Sequence, residues 1–202
     1  MAVVKLHARN LNLKCKAAIF AMTDYALSTL IPSERLRNNI MIDIHMKHHS
    51  NEGEAKLAEG TNRYRPRSFK IILDHHRMET NEMTGETRTD MEWFVEILKT
   101  LAHEIVHVKQ YVLGELKSRD AGLLYKGINH EAMNLMDYFE LPYEIEAYGR
   151  EKGLLYGFLL MWKDVETKIN FDELEVCVVL QKLEQWDLFY KERVEVEYGI
   201  MI

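Results

Sequence analysis

Residues 103–107 read His103-Glu104-Ile105-Val106-His107. On an α-helix, residues four apart stand one above the other on the same face, so two imidazoles at this spacing converge on one point. Glu104, beside the first histidine, is angled so that its carboxylate reaches a water held at that point. Two metal ligands and a general base drawn from one turn constrain the segment to be a helix with a buried face. The flanking residues comply. Thr89 followed by Glu92 is a capping-box signature that predicts a helix start near residue 90. Phe94, Ile97, Leu98, Leu101, Ile105, Val108 and Val112 recur at helical spacing until Gly114 supplies a stop signal. Gln110 shares the face of both histidines, where it either holds a ligand in place or touches substrate. Burying two histidines and a glutamate without a metal is costly.

A third protein ligand must come from elsewhere. Gln110 and Leu113 occupy the positions where a metzincin layout would place Gly and His, which excludes that layout. Downstream lies Pro142-Tyr143-Glu144-Ile145-Glu146-Ala147-Tyr148. Pro142 suits the first turn of a helix, and Glu144, Ala147, Tyr148 and Glu151 continue at helical spacing. Together with the 103–107 motif, this segment resembles the gluzincin pattern of zinc metallopeptidases. The resemblance implies Zn2+ held by His103, His107 and Glu144, with Glu104 as the catalytic base. It also implies that Ala147 is the small residue letting two helices pack closely. Glu146, pointing to a different face, is the alternative third ligand. The family pattern commonly continues with an Asp four residues after the ligand, bonding back to a metal-binding histidine. Tyr148 stands there in this chain, so Gln110 or Glu146 is left to orient the histidines.

The resemblance covers roughly residues 68–160. The stretches His-Glu-Ile-Val-His-Val-Lys-Gln-Tyr and Pro-Tyr-Glu-Ile-Glu-Ala-Tyr-Gly are also similar to minimal metallopeptidases of tailed bacteriophages. In general layout the chain resembles small SprT-like proteases, which complete the site with a histidine. What this implies is a peptidase acting through a metal-activated water on a peptide or protein substrate. A zinc-bearing structural or assembly protein of a phage particle is the alternative from another class. Hydrolysis of a non-peptide substrate is a third.

Length and composition agree with a single domain spanning 1–202, which the resemblance implies is zincin-like, with a metal-site core at about 68–160 and a helical extension at about 165–202. At 202 residues, 47% hydrophobic and 29% charged, the chain is long enough to bury one substantial core. A net charge of −6 gives no support for a nucleic-acid-binding surface. Cys15 and Cys177 lack the spacing of a structural zinc site and read as free thiols of a reducing compartment. Met1–Leu6 is too short and polar-flanked for a signal peptide. The longest apolar run, Leu154–Trp162, is half the length a membrane span needs and reads as a buried continuation of the Glu144 helix. The expected location is therefore the cytoplasm, that of a host if viral, or a virion.

The remaining pattern predicts an α+β fold with helices on one side of a small, mostly antiparallel sheet. Cys15–Leu30 reads as a first helix, and Ile40–Met46 and Ser68–Asp74 as strands. Residues 47–67 read as a loop or short hairpin, about 171–187 as a capped helix, and Val194–Ile202 as a short strand. The 68–74 strand is the expected free edge on which an extended substrate pairs. Stabilising a tetrahedral oxyanion requires a donor, for which His130, Tyr138 and Tyr143 are candidates, Tyr143 first because it adjoins Glu144. His48-His49 and His75-His76 read as solvated strand-end residues, and Arg63-Tyr64-Arg65-Pro66-Arg67 as a solvated loop.

Overall fold

The computed structural model describes residues 2–166 apart from 9–10, 77–78, 80–86, 88–89, 120–121 and 131–134. The elements expected at 171–187 and 194–202, and Cys177, lie outside the described residues.

The chain opens with strand β1 (Val3–His7), helix α1 (Leu13–Leu30), a short α2 (Glu34–Arg37) and strand β2 (Met41–Met46). Asn12 caps α1 by accepting from Cys15 N at 2.8 Å. The crossover through α1 returns the chain to the starting end of the sheet, so β1 and β2 pair in parallel. Strands β3 (Gly53–Leu57) and β4 (Ser68–Leu73) follow, and the sheet order is β1-β2-β4-β3. β4 pairs with β2 in parallel and with β3 antiparallel. The main sheet is therefore mixed, two of its three pairings being parallel, rather than mostly antiparallel. The α1 crossover makes β1 and β2 parallel, and the reversal through β3 brings β4 back parallel to β2. β4 is also an internal strand, not the expected edge. That position belongs to β3, which arises inside the stretch read as a loop or hairpin.

Alternation along the strands sets the core face. Ile42, Ile44, Phe69, Ile71 and Leu73 are buried together, each stabilising the fold by roughly 1.5–3 kcal/mol relative to exposure. Helix α3 (Asp90–Val112) packs against β3 and β4, and also against α1 and α5 (Pro142–Glu166). α3 ends in a Schellman motif. Gly114 adopts φ 74°, Glu115 N donates to Gln110 O at 2.8 Å, and Gly114 N donates to Tyr111 O at 3.1 Å. The connection from α3 to α5 is a three-stranded antiparallel sheet, β5 (Leu116–Arg119), β6 (Gly122–Tyr125) and β7 (Ile128–His130), followed by short helix α4 (Leu135–Phe139). Pro142 occupies the first position of α5, as expected, and the helix runs on through buried Leu154, Leu155, Phe158, Met161 and Trp162. Among the described residues, no helix is long and apolar enough to cross a membrane.

Candidate metal centre

The amphipathic stripe of α3 turns His103, Glu104 and His107 inward, all less than a tenth exposed, and the first turn of α5 brings Glu144 against them. His103 Nε2 lies 3.2 Å from His107 Nε2 and 3.2 Å from Glu144 Oε2, and His107 Nε2 lies 3.5 Å from Glu144 Oε1. Three ligands bonded at about 2.0–2.2 Å to a tetrahedral centre stand roughly 3.3–3.6 Å apart, so this triangle has the dimensions of one face of a zinc site. His103, His107 and Glu144 form a buried group able to hold a metal ion. Ala147 is fully buried on α5, three residues after Glu144.

Hydrogen bonding aims the imidazoles. His103 Nδ1 lies 3.0 Å from Glu151 Oε2, an acceptor only, so Nδ1 carries the hydrogen. His107 Nδ1 lies 3.0 Å from Gln110 Oε1. The amide nitrogen of Gln110 donates to Tyr143 O at 2.9 Å and to Glu146 Oε2 at 3.1 Å, leaving its oxygen to face the histidine. Both Nε2 atoms then face each other and the Glu144 carboxylate. A buried carboxylate and two imidazoles meeting at one place call for positive charge there, from a metal ion or from the imidazoles' own protons.

The electrostatics agree. Burial alone would lower His103, but its hydrogen bonds to Glu144 and Glu151 outweigh this and raise it to about 9. The same opposition, resolved by Glu144 and Glu104, raises His107. Burial works to raise Glu144, yet its bonds to His103, His107 and Tyr138 hold it down at about 2. Glu104 differs. Burial dominates there and pushes its carboxyl above the usual range.

Glu104 also meets the sheet edge. It accepts a hydrogen bond from the backbone N–H of Ala55 on β3. The bonds Asp74 N to Glu52 O and Ala58 N to Ser68 O show that even-numbered residues of this strand face β4. Odd-numbered Gly53, Ala55 and Leu57 therefore turn their N–H and C=O groups outward. Gly53 lies so close that an added Cβ would stand 2.5 Å from Glu104 Oε1 and 2.6 Å from Thr100 Cγ2. Among the described residues, the sheet edge beside the motif helix is β3, not the 68–74 strand expected.

Of the other candidates, Glu146 turns away from the triangle. It accepts from Lys109 at 2.8 Å, Gln110 at 3.1 Å, Tyr125 at 2.9 Å and Arg150 at 3.1 Å. It supports His107 at one remove, through Gln110. Tyr143 is buried with its ring 6.2 Å from that of His107. Tyr138 bonds directly to Glu144. His130 closes β7 with its ring 6.5 Å from Tyr125, so it neighbours the Glu146 network and not the triangle. His48 and His49 instead pair with Asp74 at 3.0 Å and Glu54 at 3.3 Å.

Sequence reasoning missed four participants. Glu151 lies seven residues after Glu144, two helical turns along the same face, a spacing that signals it. Tyr148, read only as a departure from the family pattern, sets its ring edge-on 4.5 Å from His103. Gly53 and Ala55 carry no local signal, because only strand pairing delivers them to the site. Comparison with protein-family models, with curated proteins and with solved structures finds no match to the chain.

Proposed function

We propose that the protein is a metal-dependent peptidase, with zinc as the ion that the two-imidazole, one-carboxylate donor set suits best. The observation that carries this reading is the buried triangle of His103, His107 and Glu144, set beside Glu104 and the outward-facing backbone of β3. Zinc, when bound, polarises a substrate carbonyl and lowers the pKa of a coordinated water.

The chain's own residues do the rest. Gly53 and Leu57 offer outward N–H and C=O groups and Ala55 its C=O, so an extended peptide pairs with β3 and needs no particular sequence to be held. Glu104, with its affinity for a proton raised by burial, takes a proton from the attacking water at its carboxylate. It then returns that proton to the amide nitrogen as the C–N bond breaks, giving a carboxylate and an amine. Glu151 and Gln110 face the two Nδ1 atoms, so Nε2 is the nitrogen that each histidine would present to a bound ion. Tyr138, bonded to Glu144, and Tyr148, beside His103, are the candidates for stabilising a developing oxyanion. The test is hydrolysis of a fluorogenic casein by zinc-loaded protein, wild type against Glu104→Gln. Turnover in the wild type alone supports the reading, and equal turnover in both sinks it.

A second reading rests on the same two tyrosines. Tyr138 bonds to Glu144 and Tyr148 covers His103, so a closed centre would serve stability or assembly instead of hydrolysis. Retained zinc with no turnover in the wild type favours that outcome.

A further inference from the structure

At the carboxyl ends of β1 and β2, well away from the metal centre, the structure has a cavity of about 650 Å³. Trp93 on its wall precedes His103 by ten residues of α3, which separates the two sites by roughly 15 Å along the helix. The volume falls in the range of small-molecule sites, and strand carboxyl ends are where open sheets with parallel strands place such sites.

The wall is unusual chemically. His7 and His45, partners in the β1–β2 register, share the sheet face opposite the core. Their rings stack at 4.2 Å with planes 12° apart. Lys47, Met46, Leu11, Trp93 and His75 complete most of the wall. Among the described residues it thus holds one ammonium and no carboxylate, Asp43, 4.0 Å from His7 Nε2, standing outside it. His75 Nδ1 is, among the described residues, the buried side-chain polar atom left without a hydrogen-bond partner, a condition that native interiors seldom tolerate. The Trp93 indole N–H is already spent on His75 O at 2.9 Å, so this residue offers its ring and not its donor. Burial and the neighbouring His7 and Lys70 lower the affinity of His45 for a proton. Its ring is accordingly a neutral, flat surface. Stacked imidazoles and an indole beside one cation suit a flat ligand with one negative end.

We propose that this cavity binds a small planar anion, an aromatic or heteroaromatic ring bearing a carboxylate or phosphate, with Lys47 on the charge and the His7–His45 stack and Trp93 on the ring. The two anion sources are separated by probe. The full-length protein is titrated with nicotinate and with adenosine monophosphate while Trp93 fluorescence is followed, with adenosine and inorganic phosphate as ring-only and anion-only controls. The expected result is saturable quenching by at least one ring anion, abolished in Trp93→Phe, with each control weaker by roughly tenfold or more. Lys47→Gln lowers that affinity by about tenfold and Lys47→Arg restores it. Lys47 is exposed, so folding survives the change, and zinc uptake by Lys47→Gln stays at the wild-type level. No saturation by either ring anion below about 5 mM, an unchanged affinity in Lys47→Gln, or phosphate binding as tightly as the ring anions overturns the proposal.

Discussion

Glu151 Oε2 accepts from His103 Nδ1 at 3.0 Å, across the contact of α5 with α3. This bond holds the hydrogen on Nδ1, so Nε2 is the nitrogen that would give up its proton to a metal. Removing such a partner typically costs 10–100-fold in metal affinity. Glu151→Ala is therefore expected to weaken zinc binding by about tenfold or more, and Glu151→Gln, whose amide oxygen still accepts, by less. Competition against a chromophoric chelator measures both. Equal affinities in wild type and Glu151→Ala would show the bond to be incidental.

Metal binding and hydrolysis separate at adjacent residues. Glu104→Gln should retain zinc and lose turnover, because its carboxylate faces Ala55 N–H and lies outside the ligand triangle. His103→Ala should lose both, and its melting temperature should no longer respond to added zinc. Metal analysis beside the casein assay reads the difference. Zinc loss in Glu104→Gln would place that residue among the ligands.

Gly53 is required by the sheet edge. An added Cβ would stand 2.5 Å from Glu104 Oε1 and 2.6 Å from Thr100 Cγ2. Gly53→Ala should push β3 off α3 or displace the Glu104 carboxylate, costing about 1–3 kcal/mol of stability. Turnover should fall further than zinc content does. Denaturant melts and the activity assay check this, and a fully active Gly53→Ala protein would contradict the placement of β3.

The His103 environment sets a pH dependence. Its pKa in the folded, metal-free protein is raised, despite burial, by Glu144 and Glu151. A raised folded value means that its contribution to metal-free stability is full below about pH 6.5 and disappears as pH rises through the folded value. Zinc must displace the same proton, so uptake near neutral pH should release protons and apparent affinity should increase as pH rises. Titration calorimetry in buffers of different ionisation enthalpy counts the protons. A buffer-independent enthalpy would refute the assignment.

At the acid end, Glu146 is the group to watch. Burial alone would raise it, but Lys109, Gln110 and Tyr125 hold it down at about 2. A depressed folded value contributes stability above the unfolded range, about pH 4.3, that is lost as pH falls through about 2. Glu146→Gln should flatten that part of the acid-denaturation curve followed by circular dichroism. It should also loosen Gln110 and weaken zinc binding modestly. An unaltered acid limb would show that Lys109 finds its compensation in Glu115, 2.7 Å away.

The residues able to hold a metal were legible because their geometry is local. His103, Glu104 and His107 share one helical turn, and Glu144 follows a helix-starting proline. A 3.6-residue period therefore places each of them before any long-range contact forms. The helix bounds followed for the same reason, since Gly114 and Pro142 act on their own segments. The strand at 68–74 was legible as a strand, but its partners were not. Which strands pair, and in which direction, depends on the α1 crossover and on the 58–67 connection returning β3 outside β4. Neither leaves a mark in the residues of β4 itself. An edge strand such as β3, short and polar, also lacks the alternation that announces a half-buried one. Only the tertiary structure decided that Ala55 N–H meets Glu104, that Gly53 must have no side chain, and that His7 and His45 stack. Each of these joins segments whose meeting is settled by burying one continuous core, a condition on the whole chain that no single window of sequence contains.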